Sequence, residues 1–276
     1  MLQFLIEPLQ YAFMWRGLAA AAMVGVVCAV VGCFVVLRGL AFFGDALSHA
    51  VLPGVAVAYL LGGTAGPLFW GALGAAVVTA LGIGAVSGKQ RLSEDAAIGV
   101  IFAGAFALGI ALISTIRSYS VDLSHILFGN ILAITSGDLL RIAVFGGGVL
   151  LVIGALFKEL VAVAFDPVHA ATLRLPGEAL RYLLLVLIAV TVVVALQTVG
   201  AGLMTAMLIT PAATGYLLAR RLPRMLAIAV VVGVFSGVAG LYLSYYVAVA
   251  SGAAIVLVAT ACFGVAWVVT QVRGRA

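Results

Sequence analysis

An aspartate and a histidine lie four residues apart in Gly44-Asp45-Ala46-Leu47-Ser48-His49. On a helix this spacing puts a carboxylate and an imidazole on one face, one turn apart. Such a pair offers one oxygen and one nitrogen donor, a set that suits manganese, zinc or iron(II) better than sodium or calcium. Two donors do not close a coordination sphere. In a twofold dimer the same pair would arrive twice and bring four side chains to one axis. A plainer reading also fits the spacing, with Asp45 as a helix cap and His49 bonded to a neighbouring backbone group.

The elements that must hold this pair are set by composition. Of 276 residues, 66% are hydrophobic and 8% charged, with a mean hydropathy of +1.33. A soluble domain is about one-quarter charged, and a chain this apolar could not cover its surface in water. The solvent is lipid. A spanning helix needs ~20 apolar residues, and the charges divide the chain into pieces of that size. Uncharged stretches of 21 residues follow Arg16 and Asp95, and one of 43 follows Asp45. Stretches of 38 and 48 follow Arg181 and Arg224. A further span runs from about Asp138 to Phe157. The expectation is an all-α polytopic transmembrane bundle of about nine helices, with eight to ten as the range, in one domain over 1–276.

The net charge of +5 forms no basic face for nucleic acid. Arg38, Lys89 with Arg91, Lys158 to Arg181, Arg220 to Arg224 and Arg273 with Arg275 fall instead on every second connection. The positive-inside rule puts those connections in the cytoplasm. Nine crossings then leave the N-terminus outside and the C-terminus inside. The start does not read as a cleaved signal peptide, and residues 2–15 suit a short interfacial helix before the first span. Cys28, Cys33 and Cys262 match no metal or redox spacing and read as small apolar residues. Gly233 and Gly237 form a GxxxG pair, which permits close helix approach in lipid.

Depth makes the Asp–His pair expensive. With the boundary near Arg38, Asp45 lies ~10 Å and His49 ~16 Å in at 1.5 Å per residue, and half a hydrocarbon core is ~15 Å. An uncompensated Asp at mid-membrane costs ~2.5–3.5 kcal/mol on insertion scales. A proton, a partner or a visiting cation must offset it. A second feature is the run Leu208-Ile209-Thr210-Pro211-Ala212-Ala213-Thr214. Pro211 removes a backbone donor inside an apolar segment, and the kink marks Thr210 and Pro211 as candidates to line a pathway.

Two connections are long. Residues 117–137 carry Asp122 and His125, which suit a solvated loop. Residues 158–180 carry Asp166 and Pro167, an N-cap and first helical position, then His169 and Leu173, with Pro176 and Gly177 ending a short surface helix. No G-x-x-x-x-G-K-[ST] occurs, since Gly84 to Lys89 has the wrong spacing and leads to Gln90. Any ATP-driven step would need hydrolysis on another chain, so this chain is not expected to be the enzyme.

The motifs together resemble those of the zinc/manganese/iron ABC transporter permease family. The likeness rests on Val35 to Arg38, Phe42 to Gly54, Ile98 to Phe102, Leu127 to Leu132, Phe165 to Pro167 and Leu208 to Thr214. The resemblance implies a multi-pass protein of the bacterial cytoplasmic membrane working as a dimer, most simply of two identical chains. It implies a cytoplasmic ATPase subunit and an extracytoplasmic metal-binding protein as partners. It further implies a transported divalent metal, manganese or zinc first and iron next, rather than a resident cofactor. Asp45 and His49 would hold that metal, and the segment with Asp166, Pro167, His169 and Leu173 would couple to the ATPase. Asn130 departs from the aspartate that relatives often carry. A proton-coupled secondary transporter, with Asp45 and His49 as the relay, and an ABC permease for a metal chelate are the alternatives.

Overall fold

The computed structural model describes residues 7–62, 67–89, 93–115, 131–165, 170 and 172–273. The described residues hold eleven α-helices and no strand. In chain order these are α1 (Ala12–Leu37), α2 (Ala41–Ala50), α3 (Leu52–Gly62), α4 (Leu68–Lys89), α5 (Glu94–Ser114), α6 (Ser136–Ala155), α7 (Phe157–Phe165), α8 (Gly177–Val199), α9 (Ala201–Leu218), α10 (Leu222–Val247) and α11 (Ser251–Arg273). Among them are eight spans long and apolar enough to cross a membrane, with α2 and α3 together making one of the eight. Helix α9 is a further apolar helix that contains Pro211. The expected all-α polytopic bundle is therefore what the described residues form, with eight candidate spans inside the expected range of eight to ten.

Local chemistry explains the helix ends. Ser93 caps α5, its Oγ accepting the Ala96 N–H at 3.3 Å, and Glu94 and Asp95 sit in the first turn, where the helix dipole favours negative charge. Asp138 accepts the N–H and hydroxyl of Thr135 at 3.2 and 2.6 Å, while the Thr135 hydroxyl oxygen accepts the Asp138 N–H at 3.2 Å, a reciprocal cap on α6. Gly200, at φ +83, separates α8 from α9, so the long uncharged stretch after Arg181 becomes two helices. The chain reverses between α10 and α11 at Ala248, φ +56.

Two starting points differ from the sequence reading. Helix α1 begins at Ala12, so Arg16 lies inside it rather than before it, and the described part of the stretch ahead of it holds one short 3-10 turn, Glu7–Gln10. A long arginine stem can reach back to the interface from within a span. The connection after Lys158 also begins as helix, since α7 carries Lys158 and Glu159, and Gly177 opens α8 instead of ending a helix.

The chain packs as two compact units. The first draws on Met1–Val36, His125–Leu150 and Val194–Ala276. Within it α9, α10 and α11 pack on one another. The GxxxG pair lies against α1. A Cβ on Gly233 would meet the Gly25 carbonyl oxygen at 2.7 Å, and one on Gly237 the Ala21 Cβ at 3.1 Å. The small residues are there because two backbones touch. The second unit comprises Leu37–Ser124 and Leu151–Val193, with α2 to α5 packed mutually. Gly54 of α3 and Gly71 of α4 meet backbone to backbone in the same way.

Candidate functional site

Helix α2 has two unlike faces. Phe43, Ala46, Leu47 and Ala50 are fully buried, at spacings of three and four that mark one stripe. Phe42, Asp45 and His49 follow another edge of the helix and keep some exposure. Apolar packing thus orients α2 and leaves the carboxylate and imidazole at the margin of the packed region. Asp45 and His49 are brought to one face, as their spacing requires.

The surroundings of His49 are aromatic. From α5, Phe102 and Phe106 stand with ring centroids 6.1 and 5.7 Å from the His49 ring. Phe102 stacks on Phe106 at 5.8 Å and meets Phe42 edge-on at 6.3 Å. His49 Nδ1 is buried without a hydrogen-bond partner among the described residues. The Asp45 side chain also makes no hydrogen bond or ion pair among them, and the local bond belongs to Ser48, whose hydroxyl donates to the Asp45 carbonyl at 2.7 Å. An imidazole nitrogen and a carboxylate left free in an apolar setting are the donor set a dication would satisfy. No group of three or more His, Cys, Asp or Glu side chains comes together among the described residues.

The helix breaks just beyond the pair. Pro53 has no N–H for the His49 carbonyl, which is met instead by the Val51 N–H, and α3 restarts at Leu52. Pro53 thus breaks an apolar segment, whereas the helix that holds Pro211 runs through it unbroken. The signal was present in the sequence as a proline four residues after His49, and the sequence reading used only Pro211.

At the end of this unit that carries Arg38, a cavity of about 570 Å³ is lined by Leu37, Arg38, Glu94, Glu178, Arg181 and their neighbours. Arg181 Nη2 donates to the Gly84 carbonyl at 2.6 Å and to Ser87 Oγ at 2.8 Å, and its Nε lies 3.8 Å from Glu94 Oε1. Arg38 Nη2 donates to the Val163 carbonyl at 2.9 Å. Burial lowers the Arg38 pKa from its usual value, with Glu94 raising it and Arg181 lowering it further. These charges join positions 97 and 125 residues apart. No local spacing could have revealed them.

The remaining expected site residues divide. Thr210 and Pro211 belong to α9 in the first unit. Pro211 is buried, and the Thr214 hydroxyl donates to the Thr210 carbonyl at 2.8 Å. Helix α1 packs closely on this stretch of α9, which runs unbroken through Pro211, since a Cβ on Gly32 would strike the Leu208 carbonyl oxygen and lie 3.3 Å from the Ala212 Cβ. Leu173 is 55% exposed. It precedes a helix end in which Arg174 takes φ +55 and the Leu175 N–H bonds the Ala170 carbonyl at 3.1 Å. Asp166, Pro167 and His169 lie outside the described residues, as do Asp122, His125 and Asn130.

Comparison with known proteins covers almost the whole chain. The model of the ABC 3 transport family matches residues 10–270. The manganese transport system membrane protein MntC of Halalkalibacterium halodurans is 49% identical over 98% of this chain and 92% of its own length. The chelated iron transport system membrane protein YfeD of Yersinia pestis is 39% identical over 97% of this chain and 89% of its own. Among solved structures, PsaBC from Streptococcus pneumoniae in complex with Fab is similar with a TM-score of 0.84 and 40% identity, over 96% of this chain and 94% of that one. With eight candidate spans and this match along its length, the chain belongs to the ABC 3 transport family, as a multi-pass protein of the bacterial cytoplasmic membrane.

Proposed function

We propose that this chain is the transmembrane permease subunit of an ATP-driven importer of a divalent transition metal, with manganese the first candidate and iron the second. The observation that carries the proposal is His49 Nδ1, buried with no hydrogen-bond partner among the described residues, one turn from the Asp45 carboxylate on an orienting helix. The names of the related manganese and iron transport proteins favour those two metals over zinc. Two chains related by a twofold axis bring two Asp45–His49 pairs to the pathway, which raises the donor count without building a trap. A transient site must release what it binds. Alternating access then runs from the extracytoplasmic side, where a binding protein delivers the cation, through Asp45 and His49 to the cytoplasm. Hydrolysis takes place on a separate ATPase subunit, which the segment holding Asp166, Pro167, His169 and Leu173 contacts. Thr210 and Pro211 line the wall of the pathway.

The relative named for chelated iron supports a second reading, in which the same assembly carries a metal chelate. The test is uptake of manganese-54 into proteoliposomes holding the chain with its ATPase partner. Asp45→Asn and His49→Ala each lower uptake by at least about tenfold, the scale on which even the outer shell of a metal site matters. Uptake that survives both substitutions removes the site. Uptake driven by a proton gradient without ATP removes the ABC reading in favour of a secondary transporter. Uptake of the chelate alone favours the second reading.

A further inference from the structure

Arg38 links two helices that sequence keeps far apart. Its guanidinium reaches the Val163 carbonyl at 2.9 Å, across 125 positions. Val163 lies in the last turn of α7, where the final carbonyls of a helix have no helical donor. A cation placed there satisfies an orphan acceptor and meets the negative end of the helix dipole. On its other side Arg38 is followed by Gly39, at φ +70, and Leu40, which is buried, and α2 begins at the next residue. The link is short, and the fully buried stripe of α2 makes that helix move as a rod. Asp45 and His49 ride on it. Three residues after Val163 the chain enters the segment beginning at Asp166.

The neighbouring arginine provides a contrast. Arg181 is held by two acceptors at 2.6 and 2.8 Å and by Glu94, so it is a fixed clamp. Arg38 faces the same cavity yet holds one carbonyl, and among the described residues it makes no ion pair. Four of its five donors are free of such a partner, so the tie can be broken and remade as α7 shifts.

We propose that Arg38 is a positioning residue that transmits movement of α7 to α2, and so couples the cytoplasmic segment after α7 to the Asp45–His49 pair. This rests on the metal-importer reading above. The guanidinium is the mechanical tie, because its hydrogen bond joins the end of α7 to the link before α2, and the carboxylate and imidazole lie seven and eleven residues further along the chain.

The experiment measures manganese uptake and ATP hydrolysis together in proteoliposomes of the chain with its ATPase partner, for wild type, Arg38→Met and Arg38→Lys. Methionine keeps the reach of the stem and removes the donor. The expected result is hydrolysis within about twofold of wild type and manganese moved per ATP reduced about tenfold, inside the range found for residues that carry coupling. Lysine keeps a charged donor and restores most of the lost stoichiometry. An unchanged ratio in Arg38→Met overturns the tie. So does a parallel fall in uptake, hydrolysis and thermal midpoint, which marks a merely structural arginine, and so does a lysine variant no better than methionine. Wild-type uptake that ignores ATP overturns the importer reading as well, and it is seen in the control before any variant is compared.

Discussion

Arg181 shows how a charge is held where helices meet water. Its side chain is 20% exposed and finds a carbonyl, a hydroxyl and a carboxylate from two other helices. A hydrogen bond to a charged group is worth about 1.5–3 kcal/mol, and removing the cation also strands its acceptors. Arg181→Ala is expected to destabilise the chain by about that amount, read as a lower unfolding midpoint in detergent with little change at the Asp45–His49 pair. Arg38→Met, with one acceptor, destabilises less, and that difference separates the clamp from the tie. Asp45 and His49 were legible in the sequence because their relation is local, one turn of one helix. Arg38 with Val163, and Arg181 with Gly84, were not, since each pairs groups that only the fold brings within reach.

Among the elements, the helices followed from the spacing of charges, while their breaks followed from single residues. Pro53 interrupts the second span one turn beyond His49, and Gly200 divides the segment after Arg181. The GxxxG pair was visible as a pattern, but its partner was not. The structure puts α1 there, with Gly25 and Ala21 facing Gly233 and Gly237. A bulky side chain at this crossing must push two backbones apart. Gly233→Leu is expected to destabilise by about 1–3 kcal/mol through overpacking, measured as a fall in unfolding midpoint and in the yield of folded protein. Gly74→Leu, at a position with open space beside the missing Cβ, is the control that leaves both unchanged.

For the whole molecule, the basic connections predict sidedness. With the eight candidate spans among the described residues and α9 taken as a ninth crossing, the positive-inside rule puts Arg220, Arg221 and Arg224 in a connection inside and Ala250 in one outside. With Cys28, Cys33 and Cys262 replaced by serine, a cysteine at Arg221 is expected to react with an impermeant maleimide only after the membrane is opened, and one at Ala250 in intact cells. The reverse pattern would invert the direction of transport argued above. Composition by itself determined that this chain lives in lipid as an all-helical bundle, and that Asp45 and His49 share one helix face, because hydrophobicity and one-turn spacing act over a few residues. Only the tertiary structure decided which helices touch through glycine, that His49 Nδ1 sits beside Phe102 and Phe106 with no partner among the described residues, and that two arginines hold helix ends far along the chain. Those outcomes depend on packing between elements, and the free energy of a contact is invisible until both of its sides are in place.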